Sequence, residues 1–279
     1  MKKRLKDYGL QTDNPTYIIA EAGINHGGDV ELAKKLISSA AKSGADAVKF
    51  QTYLTEKRCP PNRQDIFALL KRCELPFAAF KTLKQHADNC GIRFFSTPFD
   101  EESVDCLESI GCELYKIASF DIANGRLLKE IAATGKPVIM SIGMANVDEI
   151  KTAYEFLRKG TAKISILHCI SAYPTQEQDA KLENIRTLHE HFNCVIGQSD
   201  HTVGVDIPLY AVAAGAQVLE KHFMLDSSMD CVDAPVSITE EQMTTLVKGV
   251  RRLERILGDG RVDLTEAQKG ALIFKRASK

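Results

Sequence analysis

Eight short apolar runs recur along the 279-residue chain: YIIAE (17–21), DAVKFQ (46–51), IRFFSTP (92–98), ELYKIAS (113–119), PVIMSIG (137–143), KISILHC (163–169), CVIGQSD (194–200) and QVLEKHF (217–223). They are rich in β-branched and aromatic residues and do not alternate strictly, which suits strands buried on both faces of a parallel sheet. Between them, residues 30–44, 76–91, 101–111, 124–135, 147–160, 182–192 and 205–215 carry apolar positions at helical spacing. Most of these segments close on a glycine suited to a helix C-cap. Residues 239–257 add one more helix. Eight strand–helix repeats in about 250 residues predict an α/β fold, a (β/α)8 TIM barrel. A doubly wound open sheet is the alternative, and the evenness of the repeats favours closure. Two departures break the repeat. Residues 1–16 form a short N-terminal extension, expected to cap the barrel's bottom. Residues 53–75 form a long insertion after the second strand, with a small helix at 65–73, at the end where barrel loops build active sites. The chain, 1–279, reads as a single barrel domain.

In such a barrel the C-terminal strand ends converge on one mouth. Here they supply Glu21, Lys49, Gln51, Ser96, Thr97, Lys116, Ser119, Ser141, His168, Ser199, Asp200, His201, Glu220 and His222. The net charge is −1, so no overall basic field invites nucleic acid or an anionic membrane, and any anion site has to be local. The lysines and hydroxyls point to such a site, for a phosphate or a carboxylate. Lys49 and Lys116 would be its charge partners, and Thr97, Ser119, Ser141 and Ser199 its neutral donors. The bland alternative pairs the two lysines with Glu21 and Asp121 and binds nothing. A purely structural ring would leave several desolvated charges to satisfy, so a ligand is favoured. His201 and His222 end adjacent strands, about 5 Å apart, and both could reach one divalent ion. Two histidines leave coordination positions open, unlike a closed structural zinc site. Mn2+, Co2+, Fe2+, Zn2+ and Mg2+ all fit, and two hydrogen-bonded strand-end histidines are the alternative. His168 reads as a third ligand, an acid/base group or a core histidine, and His26 in GINHGG as a turn residue. The basic N-terminus lacks the apolar core of a secretion signal, and no apolar stretch reaches membrane length. Eight scattered cysteines without a CxxC pair read as reduced thiols of a cytoplasmic protein.

The motifs AEAGINHGG (20–28), VKFQTY (48–53), FSTPFD (95–100), YKIAS (115–119), IMSIGM (139–144), LHCISAYPT (167–175), IGQSDHT (196–202) and LEKHF (219–223) resemble the sialic acid synthase (N-acetylneuraminate synthase) family. That family includes legionaminic acid synthases and spore-coat polysaccharide enzymes. The resemblance runs in order from about residue 17 to residue 260, one motif per strand. It implies a barrel that condenses phosphoenolpyruvate with an N-acetylated hexose, N-acetylmannosamine or a 2,4-diacetamido analogue, and releases phosphate. It also implies a divalent metal, Mn2+ foremost, with Mg2+, Co2+ and Zn2+ as alternatives. By motif position Lys49, Thr97, Lys116, Ser119, Ser141 and Ser199 would hold phosphoenolpyruvate, and His201 and His222 the metal. Glu21, Gln51, Tyr173, Asp233 and Asp121 would face the sugar, and Glu21 or Asp121 would handle the water that adds to carbon 2. Ser171, where the family often has Asn or Thr, joins the substrate-binding set. Asp121 stands where Glu is usual, Ile142 where Thr is common, and CVDA (231–234) where a GPD-type turn is usual. Members commonly continue into an antifreeze-like domain that sends an arginine into a partner subunit's sugar site. This chain ends at RASK (276–279), so the expectation is a barrel without that domain, with a homodimer left open. Two rivals remain. A sugar-phosphate synthase of the octulosonate or heptulosonate type would need a second phosphate pocket, yet the arginines cluster at 58–72, 251–261 and the C-terminus. A non-catalytic barrel would bind phosphoenolpyruvate and metal without turnover.

Overall fold

The structure is a computed structural model that describes residues 16–60, 62–258 and 262–276. Its strands are β1 (Tyr17–Gly23), β2 (Ala47–Thr52), β3 (Arg93–Pro98), β4 (Tyr115–Ile117), β5 (Val138–Ser141), β6 (Ile164–Cys169), β7 (Val195–Asp200) and β8 (Val218–His222). All pair in parallel in sequence order, and β8 returns to β1 to close the barrel. The open-sheet alternative is thereby removed. Neighbouring strands run nearly in step, with Glu21 opposite both Lys49 and His222, Gln51 opposite Thr97, and Ser199 opposite Glu220. This register puts the polar strand ends at one level.

The helices are α1 (Val30–Ser43), α2 (Thr55–Arg58), α3 (Gln64–Cys73), α4 (Phe77–Cys90), α5 (Glu101–Ser109), α6 (Gly125–Ala133), α7 (Val147–Leu157), α8 (Glu183–His191), α9 (Asp206–Ala213) and α10 (Glu240–Leu257). Local chemistry sets their ends. The Asp29 carboxylate accepts from the N–H groups of Glu31 and Leu32 at the start of α1, and Gly44 closes it in the left-handed conformation. Gly91 does the same for α4, and Asn146 and Glu149 form a capping box on α7. The main core lies inside the barrel and between barrel and helices, where Ile18, Val48, Phe50, Phe95, Ile139 and Leu167 are all sealed from solvent.

The insertion holds two helices where the sequence suggested one. The small helix α2 precedes α3, and both pack around a second apolar cluster of Ile24, Tyr53, Cys59, Leu70 and Cys73. The β1–α1 loop presses on this insertion: a Cβ on Gly28, whose φ is +87°, would stand 2.4 Å from the Arg72 carbonyl oxygen. At the opposite end, the Arg251 guanidinium of α10 meets Asp46 at 3.0 Å and donates to the Thr16 carbonyl at 2.8 Å. Thr16 in turn donates its N–H to Glu254 at 3.0 Å. The expected N-terminal cap, apart from Thr16, lies outside the described residues. All eight cysteines are free thiols, and among the described residues no helix is long and apolar enough to cross a membrane.

Candidate active site

The strand ends enclose a cavity of about 270 Å3 at the C-terminal mouth. Its floor is charged. The buried Lys49 ammonium lies 2.7 Å from Glu21 Oε1 and donates to Thr97 Oγ1 at 3.0 Å. Lys116 donates to Ser141 Oγ at 2.6 Å. Glu220 lies between the lysines, its Oε1 at 3.5 Å from Lys116 and its Oε2 at 3.8 Å from Lys49, and Ser199 donates to it at 2.9 Å. The sequence offered Glu21 and Asp121 as partners for the lysines. The structure keeps the first pair and corrects the second: Glu220, from a strand that the register places beside Ser199, is the partner of Lys116.

These contacts set the ionisation of the floor. Burial opposes the charge on Glu220, but Lys116 and Lys49 outweigh it and hold the carboxyl down at about 2. Burial dominates at Glu21 and pushes its carboxyl above the usual range, even against Lys49. Burial also lowers the Lys116 ammonium. Glu21 Oε2 and Gln51 Oε1 are buried and find no hydrogen-bond partner among the described residues. Both residues line the cavity, so each brings a buried acceptor without a partner to its wall.

The two histidines are brought together. His201, one residue past β7, and His222, at the end of β8, have ring centroids 5.3 Å apart. His201 Nδ1 lies 2.8 Å from the Ile170 carbonyl, so a proton there leaves Nε2 as the free lone pair. His222 Nδ1 lies 3.3 Å from Asp233 Oδ2. Burial pushes the His222 imidazolium down and Asp233 draws it up, with a net rise. Tyr173 stacks on His201 at 4.1 Å. Two imidazoles with a carboxylate beside one of them fit a divalent cation with open coordination positions. Among the described residues no group of three or more His, Cys, Asp or Glu is placed to hold a metal ion, so the two imidazoles would be its only such ligands.

Lys49, Gln51, Thr97, Lys116, Ser119, Ser141, Tyr173, Ser199, His201, His222, Glu21 and Asp233 all line the cavity. Ser119 sits in a 3-10 turn beyond the short β4, where its Oγ accepts from the Gly143 N–H at 2.9 Å. Asp121 and Ser171 stand outside the cavity wall. Asp121 closes the same 3-10 turn, where Asn124 donates to its Oδ1 at 3.1 Å. Ser171 Oγ sits against Gly143, 2.2 Å from where a Cβ would be, so that glycine admits it. His168 turns away to the Ala180 carbonyl at 2.7 Å, a buried structural contact. Asn25 ties the loops of β1 and β8 together. Its Nδ2 donates to the Phe223 carbonyl at 2.9 Å, and its Oδ1 accepts from the Asp233 N–H at 3.0 Å.

Sequence reasoning missed Arg58, Leu69, Leu70, Phe99, Phe120, Cys169 and Val232, which also line the cavity. The available signal was the length of the insertion, which marked 53–75 without saying which side chains turn inward.

A closed parallel barrel with ammoniums, hydroxyls, carboxylates and paired imidazoles at its C-terminal mouth defines a TIM-barrel enzyme. Residues 36–262 match the NeuB family, and the chain belongs to that family, as an enzyme of the sialic acid synthase type. It is 42% identical over 261 residues to an N,N'-diacetyllegionaminic acid synthase of Campylobacter jejuni, covering 88% of this chain and 78% of that protein. It is 36% identical over 282 residues to a pseudaminic acid synthase of the same species, covering 96% of this chain and 82% of that one. Among solved structures, an N-acetylneuraminic acid synthetase of Leptospira borgpetersenii in complex with citrate superposes with a TM-score of 0.91 at 40% identity, covering 94% of this chain and 91% of that chain.

Proposed function

We propose that the protein condenses phosphoenolpyruvate with an N-acylated hexose to give a nonulosonic acid and inorganic phosphate, with a divalent metal, Mn2+ foremost. The observation that carries this reading is the convergence of the Lys49–Thr97 and Lys116–Ser141 pairs on the cavity that also holds His201 and His222. Lys49, Lys116, Thr97, Ser119, Ser141 and Ser199 bind the phosphate and carboxylate of phosphoenolpyruvate and offset charge that builds up there. His201 and His222 would hold the metal, which would supply Lewis-acid polarisation of the open-chain sugar's aldehyde. Gln51, Tyr173 and Asp233, which line the cavity, orient that sugar. Carbon 3 of phosphoenolpyruvate then bonds to the aldehyde carbon, whose C=O π pair moves onto oxygen and takes up a proton, leaving carbon 2 cationic. Water adds at carbon 2, and its proton passes to a carboxylate. Both carboxyls have a buried oxygen without a partner, and Glu21, which lines the cavity, suits that role better than Asp121, which does not. Scission of the bond between carbon 2 and the phosphate oxygen releases phosphate with the bonding pair, and the carbon 2 hydroxyl gives up its proton to become the keto group.

The test is phosphate release by metal-stripped protein given phosphoenolpyruvate and N-acetylmannosamine, before and after Mn2+. A 2,4-diacetamido hexose and a 6-phosphorylated sugar run in parallel. Release is expected with metal and an unphosphorylated acylated sugar, and His201→Ala is expected to lower kcat/KM at least about 100-fold. Release with the phosphorylated sugar alone would assign the sugar-phosphate synthase reading instead. Tight phosphoenolpyruvate binding without release would leave the non-catalytic barrel.

A further inference from the structure

Side chains alternate along a strand, so a residue between two cavity-lining ones belongs to the other face of the sheet. Ser199 and His201 line the cavity with Asp200 between them, and Glu220 and His222 line it with Lys221 between them. Asp200 and Lys221 stand opposite each other in the β7–β8 register. Behind the mouth they form an ion pair. Lys221 Nζ lies 2.6 Å from Asp200 Oδ2, and the two side chains are 0% and 2% exposed. The corresponding place at another seam is apolar: Ile117 and Met140, next to Lys116 and Ser141, pair in the β4–β5 register.

The pair belongs to a network that surrounds His201. Asp200 accepts from the Gln198 amide at 3.2 Å, and from Thr202 through its N–H at 3.2 Å and its hydroxyl at 2.9 Å. Lys221 also donates to the Thr202 carbonyl. One ammonium therefore grips the residues on both sides of His201, and it belongs to the residue just before His222. The Thr175 N–H adds a hold from the β6 loop, donating to the His201 carbonyl at 2.9 Å. A buried ion pair is a poor source of stability, because desolvation of both charges offsets their attraction and an apolar pair of similar volume often serves as well. It does resist a shift of one strand against the next, since a slip leaves two buried charges without partners. The seam that carries both imidazoles is thus the one held in step by charge.

We propose that Asp200 and Lys221 are positioning residues, which set the spacing of the His201 and His222 imidazoles for a divalent cation. Neither residue lines the cavity, so both act through the backbone of the histidines beside them. This rests on the metal assignment within the condensation reading. Outer partners of metal ligands typically account for about 10- to 100-fold in metal affinity.

The experiment titrates metal-stripped protein with Mn2+ and reads bound metal from the loss of the free-ion electron paramagnetic resonance signal. Wild type is compared with the double variant Asp200→Asn, Lys221→Met and with Arg251→Met. The double variant removes both charges at once and leaves no lone buried ion behind. Arg251→Met breaks an ion pair at the other end of the barrel and controls for lost stability alone. The double variant is expected to melt cooperatively within a few degrees of wild type and to bind Mn2+ about 10- to 100-fold more weakly. Arg251→Met should bind Mn2+ within about twofold of wild type. If the double variant does not fold, Thr202→Val carries the test, since it removes a donor to Asp200 and leaves the ion pair in place; its Mn2+ affinity should fall several-fold. Unchanged affinity in the folded variant, or a loss that Arg251→Met reproduces, overturns the positioning role. Wild type that binds no Mn2+ overturns the metal assignment and this inference together, so the two failures are separable.

Discussion

At the scale of single residues the mouth of the barrel is a set of opposed charges. Lys49 and Lys116 do not present bare ammoniums, because Glu21 and Glu220 stand within ion-pair distance of them. The ion pairs offset one another before substrate arrives, and hydroxyls at Thr97, Ser141 and Ser199 already hold Lys49, Lys116 and Glu220 in place. A second buried group outside the cavity responds to pH. His26 is 1% exposed, its Nδ1 accepts from the Gly28 N–H, and burial lowers it from 6.5 to about 4. The folded protein therefore holds this imidazole neutral where the unfolded chain protonates it. Its contribution to stability is complete above pH 6.5, falls as pH drops toward 4, and is flat below, a loss of about 3 kcal/mol in all. Urea unfolding at pH 7 and 4.5 should show this slope in wild type and a shallower one in His26→Gln. Equal slopes would remove His26 as the cause.

At the scale of elements, the insertion depends on one close approach. Gly28→Ala would place a methyl 2.4 Å from the Arg72 carbonyl, at a φ of +87° that an L side chain resists. The strain is on the order of 2–3 kcal/mol, and relief has to come from moving α3 with Leu69 and Leu70. The acceptor KM should rise several-fold while phosphoenolpyruvate affinity, which the proposed function assigns to the strand ends, stays within about twofold. An unaltered KM and melting temperature would show that the loop relaxes freely. The same division explains what the sequence made legible. A strand offers its side chains to one side at every second position, so Lys49 with Gln51 and Glu220 with His222 could be named from spacing alone. Which carboxylate meets which lysine could not, because that depends on register between strands distant in sequence. Glu220 finds Lys116 across the barrel. Loop residues were less legible still. Asp121 and Ser171 follow strands by four residues and by two, yet neither lines the cavity: a 3-10 turn holds Asp121, and irregular chain carries Ser171. Arg58 gave no periodic signal because α2 is four residues long, too short to show a face.

At the scale of the whole molecule, stability and function occupy opposite ends. The mouth gathers the buried charges. The other end gathers the contacts that join the last helix to the first strand: Arg251 with Asp46, Thr16 and Glu254, and Asp46 accepting from the Ile18 N–H at 2.8 Å. Arg251→Met should cost about 1–3 kcal/mol and lower the melting temperature, while kcat and both KM values stay within about twofold. A kinetic change of tenfold would mean that the two ends are coupled. The seam between β8 and β1 has the same parallel pairing as the other seven, and Thr16 and Glu254 touch across it at 3.0 Å. A ring has no privileged starting point. A short linker from residue 258 to residue 16, with new ends opened between α7 and β6 at the bottom, would give a circularly permuted chain. Every lysine, hydroxyl and imidazole of the mouth would keep its neighbours in that chain, since the order of the staves around a cask does not depend on which is counted first.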